Sequence, residues 1–189
     1  AWGETGYNGH PHVKTPVLDE MARTALRLDR FYAGSPVCSP TRASVMTGRH
    51  ANRSGAFAPN YSTRPEEITI AQILRAGGYR TGHFGKWHLG AVKRESPVNP
   101  SRMGFDEYLS HDNFFEMDPP LSRNGATPEI IKGESSELVA AEAARFARKV
   151  AAEGRQARVG VILCGGNVDA GVLAPLLAAA KPYPTGTLV

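Results

Sequence analysis

The sequence predicts a protein of the α/β class. Two observations carry that prediction. Amphipathic stretches of helical length alternate with short apolar runs of strand length, and no segment repeats at a fixed period. Composition agrees: 189 residues, 41% hydrophobic and 21% charged, suffice for one globular domain with a buried core.

Residues 15–26 read as the first helix. Thr15 is a suitable N-cap, Pro16 fits the first turn, and Leu18, Met21, Ala22 and Ala25 share a face. A strand is expected from about Leu28 to Tyr32. The segment from Gly34 to Pro40 has turn chemistry, and Thr41 to Thr47 continues as a helix that Gly48 ends, which places Cys38 at a loop-to-helix junction. Glu66 to Ala76 is the next amphipathic helix, with Ile68, Ala71, Ile73 and Leu74 as its apolar residues. The Gly77-Gly78 pair stops it before an expected strand at Tyr79 to Phe84. Lys86, Trp87 and His88 then fall at the carboxyl end of that strand, where open α/β sheets bind ligands. Residues 91–128 are rich in Pro, Asn, Ser and Asp and read as long surface loops. Glu134 to Glu153 is the longest helix, and Arg158 to Leu163 reads as a buried strand.

The formal net charge is a modest +4. It is unevenly spread: thirteen Lys and Arg face seven Asp and Glu in the first hundred residues, against nine and eleven in the rest. A basic first half suits an anionic small-molecule substrate, although a solvated face has the same signature. No nucleic-acid partner is expected. No apolar run reaches the length of a membrane span, and the first residues show no secretory leader. Ala1 is not an initiating Met, so the missing leader carries no information on location. Two cysteines, Cys38 and Cys164, make no disulfide framework.

The segment Pro36-Val-Cys-Ser-Pro-Thr-Arg-Ala-Ser-Val-Met-Thr-Gly48 resembles the signature of the type I, formylglycine-dependent sulfatases, whose core is Cys-x-Pro-x-Arg followed by Thr-Gly. A second segment, Gly78-Tyr-Arg-Thr-Gly-His-Phe-Gly-Lys-Trp-His-Leu-Gly90, resembles the family's other signature, with Phe84 where a smaller aliphatic residue is usual. Tyr7-Asn-Gly, Thr15-Pro-Val-Leu-Asp and Gly104-Phe-Asp extend the resemblance over residues 1–150. It implies an alkaline-phosphatase-like fold, a mostly parallel sheet flanked by helices, of which this chain would be the N-terminal portion. It also implies that a maturation enzyme oxidises Cys38 to formylglycine, the nucleophile of sulfate-ester hydrolysis. Arg42, one turn on, would hold the nucleophile's oxygens or a metal-bound neighbour. Lys86 would contact sulfate and formylglycine, and His88 would hydrogen-bond the diol and help deprotonate it.

The family holds a divalent cation, usually Ca2+, and a hard cation needs several oxygen ligands. By resemblance, Cys38 as formylglycine is one ligand. An Asp pair would lie just upstream of Ala1, and the remaining ligands past the point where the resemblance fades. Asn113 and Asp118 are poor substitutes; His83, His111 and Asp112 are further candidates for the site.

After about residue 157 the character changes. Arg158-Val-Gly-Val-Ile-Leu-Cys-Gly-Gly-Asn-Val-Asp169 resembles a C-terminal segment of serine/threonine dehydratase-type pyridoxal-phosphate enzymes, with Cys164 in the place that faces the pyridine nitrogen; the residues themselves favour a plain strand and glycine turn over a retained cofactor role. The expected organisation is a partial sulfatase catalytic domain over 1–150 and a tail of separate character over 151–189.

Three functional readings stand. The first is a sulfuric ester hydrolase acting on a sulfate-ester small molecule or sulfated glycan, with Cys38, Arg42, Lys86 and His88 as site residues. The second is a phosphodiesterase or phosphonate hydrolase of the same superfamily, since tetrahedral oxyanions of similar size fit the same donors. The third is a non-catalytic fragment, at most a weak anion-binding module. A periplasmic or secreted location would agree with the resemblance.

Overall fold

The computed structural model describes residues 3–113 and 116–153. The expected strand at 158–163, Cys164 and the glycine turn after it lie outside the described residues. The described part falls into two compact units, one ending at Tyr32 and the other beginning at Ala33.

The first unit holds a 3-10 turn at Gly6–Asn8 and helix α1 at Pro16–Thr24. Thr15 stands at the N-cap as expected, but its hydroxyl does not cap the helix. It donates to Asp19 Oδ1 at 2.8 Å and accepts from the Gly6 N–H at 2.9 Å. The Asp19 carboxylate also accepts the Tyr7 N–H at 2.8 Å, so one acidic side chain ties the turn to the helix. The strand expected at 28–32 is absent: a strand needs a neighbouring edge for its ladder, and the described residues of this unit offer only a turn and a helix. Leu28, Phe31 and Tyr32 are exposed there.

The second unit is built on a mixed sheet of order β1-β2-β3-β4, comprising Gly82–Lys86, Glu107–His111, Pro120–Arg123 and Glu129–Ile130. β1 and β2 are parallel, with Lys86 opposite His111; the β2–β3 and β3–β4 pairs are antiparallel. The α/β class is therefore as expected, with one parallel pair among the described strands. β1 begins three residues later than the sequence suggested and runs to Lys86. β2 and β3 lie in the stretch read as loops.

Helix α2 spans Cys38–Thr47 and ends on Gly48, whose φ of 65° is a left-handed C-cap. It begins at Cys38 itself, three residues before Thr41. Helix α3 is a single turn at Ala51–Ser54. Helix α4 covers only Ile70–Ala76, because Thr69 and Gln72 form a reciprocal capping box that sets its start. Ala71 is buried, whereas Ile68 and Ile73 are exposed, so the apolar face is narrower than the one the sequence suggested. Helix α5, Ser135–Ala152, starts one residue after the expected Glu134, which stands at its N-cap, and packs on β1 and β2, with the Phe146 ring 5.6 Å from that of Phe84. The aromatic departure from the family pattern at residue 84 thus has a packing partner.

The parallel β1–β2 pair is joined by residues 87–106, which contain no helix. Such crossovers usually bury a helix against the sheet. Here the loop supplies the core itself: Trp87, Leu89, Val92, Val98 and Met103 are almost fully buried, together with Ala43, Ala56 and Tyr108. Several of its buried polar groups are satisfied within the loop or by β2. Trp87 Nε1 donates to the Val98 carbonyl at 2.9 Å, and Tyr108 Oη to the Val92 carbonyl at 2.8 Å. The buried Asn99 donates to the Arg94 and Ser96 carbonyls and accepts from Ser101 and Arg102.

Candidate active site

Cys38 is the first residue of α2 and is exposed. The N-cap position belongs to Val37, whose side chain cannot cap the helix, and Pro40 has no N–H. The N–H groups of Cys38 and Ser39 therefore have no intrahelical acceptor, and the positive end of the helix lies at the exposed Cys38. Ser39 and Pro40 are buried and anchor this end.

Lys86 closes β1, and its Nζ lies 3.4 Å from Cys38 Sγ, across 48 residues of chain. Arg42, one turn into α2, sends Nη1 to the Lys86 main-chain carbonyl at 2.6 Å. The guanidinium thus fastens the helix to the end of the strand and fixes the separation of Cys38 and Lys86. This link to Lys86 was not part of the sequence reading, which aimed Arg42 at the nucleophile's oxygens or a metal-bound neighbour.

His88 follows two residues later with a left-handed φ of 54°, an uncommon conformation outside glycine that occurs often at functional turns. Its N–H donates to the Asp112 carbonyl at 2.9 Å, so the segments leaving β1 and β2 remain paired past the sheet. Its Nε2 lies 2.7 Å from Asn60 Oδ1, and Nδ1 is buried without a hydrogen-bond partner among the described residues. Burial, then the Lys86 and Arg42 charges, lower its pKa from the usual imidazole value. A neutral imidazole beside two cations is suited to accept a proton.

His83 does not join this group. It packs edge-on against Trp87 and Phe105 at 5.0 and 5.3 Å, and Nδ1 lies 2.7 Å from Ser110 Oγ. Burial, and secondarily the Arg42 charge, push its pKa down to about 3. His111 sits at the end of β2, and its Nδ1 accepts the Asn113 N–H at 3.1 Å. Asp112 spends one carboxylate oxygen on the Val92 N–H at 2.7 Å. Asp118 accepts from Lys132 Nζ at 2.7 Å and the Gly133 N–H at 2.9 Å, which hold its carboxyl below the usual range.

The described residues do not fit a divalent cation: no group of three or more His, Cys, Asp or Glu side chains among them could enclose one. Nor is any described helix long and apolar enough to cross a membrane. Two contributors to the site escaped the sequence reading: Asn60, which reaches His88, and Ser39, whose buried hydroxyl accepts the Asn60 N–H at 3.2 Å. Only the turn-forming pair Pro59-Asn60 hints at the first, and nothing local joins it to residue 88.

A family model described as Sulfatase matches residues 1–157. The chain is 41% identical over 113 residues to an ulvan-active sulfatase of Formosa agariphila, covering 57% of this chain and 22% of that protein. It is 40% identical over 121 residues to human arylsulfatase A, covering 59% and 24%. The chain thus spans about a quarter or less of the length of these relatives. Among solved structures, Ps i-CgsB superposes with a TM-score of 0.68 at 24% identity, over 81% of this chain and 40% of its own, and carries the fold comparison alone. BT4656, solved with its substrate D-glucosamine-2-N,6-O-disulfate, superposes with a TM-score of 0.64 at 26% identity, over 76% and 28%. The fold is accordingly alkaline-phosphatase-like. The family match stops at residue 157, just before the segment from Arg158 that resembles the pyridoxal-phosphate enzymes. Since the matched region takes in most of the sequence and both signatures in their order, the chain belongs to the sulfatase family.

Proposed function

We propose that this chain carries the nucleophile side of a sulfuric ester hydrolase, with Cys38, Arg42, Lys86 and His88 as its working residues. The observation that supports it most is the 3.4 Å approach of Lys86 Nζ to Cys38 Sγ at the open N-terminus of α2. Converted to formylglycine and hydrated, residue 38 supplies a geminal diol: one hydroxyl loses its proton and attacks sulfur as the S–O ester bond breaks and the alcohol leaves with a proton, and the other loses its proton and re-forms the aldehyde as the C–O bond to sulfate breaks. Lys86 and the helix N-terminus place positive charge where the sulfuryl oxygens gather negative charge. Arg42 keeps Lys86 in reach of residue 38 through the strand's last carbonyl. His88, neutral at physiological pH because burial and two cations depress its basicity, takes the proton of the second hydroxyl.

Two of the relatives support a substrate class: one is named an ulvan-active sulfatase, and BT4656 was solved with a disulfated glucosamine as its substrate. We infer a sulfated glycan. A formylglycine-generating enzyme is the partner that conversion of Cys38 requires. Calcium belongs to this reading only through ligands outside the described residues, and no step is assigned to it. The domain division at about residue 150 remains part of the same proposal.

A second reading has its own observation: the described residues cannot enclose a cation. On that reading these 189 residues alone bind anions without turnover. Mass spectrometry of chain co-produced with a formylglycine-generating enzyme decides the first point, since the peptide holding residue 38 should lose the mass that separates thiol from aldehyde. Unmodified thiol there overturns the formylglycine assignment. Addition of calcium and an aryl sulfate to the converted chain decides the second: turnover that Cys38→Ala abolishes would overturn the binding-only reading.

A further inference from the structure

Asn60 stands between the two halves of the site. Its backbone N–H donates to the hydroxyl of Ser39, the buried residue beside Cys38, and its side-chain oxygen meets His88 Nε2 at 2.7 Å. Its φ of 68° is left-handed, a conformation that Asn adopts more readily than other non-glycine residues. That backbone lets one residue direct its amide N–H to α2 and its side chain to the end of β1.

Two arrangements of the contact are chemically possible. If Nε2 carries the proton, it donates to Asn60 Oδ1, and the buried Nδ1 is an acceptor lone pair without a partner. If the amide is turned, its NH2 donates to Nε2, and the buried Nδ1 carries an N–H without an acceptor. Buried donors are orphaned less often than buried acceptors. The partnerless Nδ1 therefore favours the first arrangement.

We propose that Asn60 is a positioning residue that sets the tautomer of His88, holding the proton on Nε2 so that Nδ1 is the basic ring atom. The inference rests on the reading of His88 as the proton acceptor of the site. Two neighbouring cations, Lys86 and Arg42, lower the basicity of the ring, and the Asp112 main-chain carbonyl fixes its backbone. Without Asn60 neither ring nitrogen would have a hydrogen-bond partner among the described residues, and the proton could reside on either.

Nitrogen-15 labelled chain allows the test, with the His88 ring signals identified by their loss in His88→Gln. Long-range nitrogen–proton correlation near neutral pH should show the proton of His88 on Nε2 alone. Asn60→Gly keeps the left-handed backbone and removes the amide; it should give a mixture of tautomers. Asn60→Asp should keep the proton on Nε2 and raise the His88 titration midpoint by about one pH unit or more, because a carboxylate stabilises the charged ring. A proton on Nδ1 in the unaltered chain would overturn the proposal, as would Asn60→Gly leaving tautomer and midpoint unchanged. Should Asn60→Gly lose its fold, Asn60→Asp decides, an unmoved midpoint counting against us. A merely structural Asn60 would alter stability without moving the tautomer. None of these readouts requires conversion of Cys38 or turnover, so failure of the hydrolase reading and failure of this one are separately visible.

Discussion

At the scale of single residues, the two histidines of the second signature have opposite environments. His88 borders the cationic cluster, whereas His83 is sealed beneath it by Trp87, Phe105 and Ser110. A folded pKa of about 3 against an ordinary 6.5 means that, on acidification, the unfolded chain binds the proton first. The contribution of His83 to stability is thus whole above about pH 6.5 and is lost progressively towards pH 3, with a slope of at most about 1.4 kcal/mol per pH unit. Arg42 is the charge that faces it. In His83→Leu the Ser110 hydroxyl keeps its 3.3 Å bond to the main-chain carbonyl of residue 83, so urea unfolding from neutral pH to about pH 4.5 should show a visibly flatter loss of stability than in the unaltered chain. Equal slopes would contradict the assignment. Cys38, Arg42, Lys86 and His88 could be proposed from the sequence because each lies within a contiguous signature. Asn60 and Ser110 could not, since each acts on a partner 28 or 27 residues away through a single side-chain contact.

At the scale of elements, the Gly48 end of α2 was readable from the sequence, and α5 starts one residue after the expected Glu134, whereas the starts of α2 and α4 were misplaced. The start of α4 falls at Thr69 because its hydroxyl does two jobs, accepting the Gln72 N–H at 3.2 Å and donating to the buried Met103 carbonyl at 2.5 Å. Only the tertiary contact distinguishes Thr69 from the Glu pair before it. Gly104 completes that junction: with φ of 103°, any Cβ there would lie 2.4 Å from the Gln72 nitrogen. Thr69→Ala should cost about 1–3 kcal/mol in denaturant unfolding, while Thr69→Ser, which keeps the hydroxyl, should cost clearly less. Strands β2 and β3 were read as loops for a related reason. They are four or five residues long, and Tyr108, Leu109 and Leu121 are their only buried apolar side chains; Ser110 and Ser122 fill buried positions as well. A polar residue inside a strand is affordable when its hydroxyl is bonded, and that bond is invisible in the sequence.

At the scale of the whole molecule, the α/β class was legible from alternation alone, while the sheet's mixed direction was not, because direction depends on which strands become neighbours. The signatures told the family, since they encode the one junction that chemistry constrains; they are silent on the loops that would grip a substrate. The helix-free crossover of residues 87–106 has a consequence for dynamics. Lys86 and His88 flank its first residue, Trp87, and the same loop supplies the side chains of the core. No small opening can then disturb the site and leave the interior intact. The Trp87 indole hydrogen, held on the Val98 carbonyl, should exchange with deuterium only as fast as the second unit unfolds globally, and the amides of Trp87 and His88 should share that slow limit. Exchange of these two amides well ahead of the indole would instead show that the carboxyl end of β1 breathes by itself.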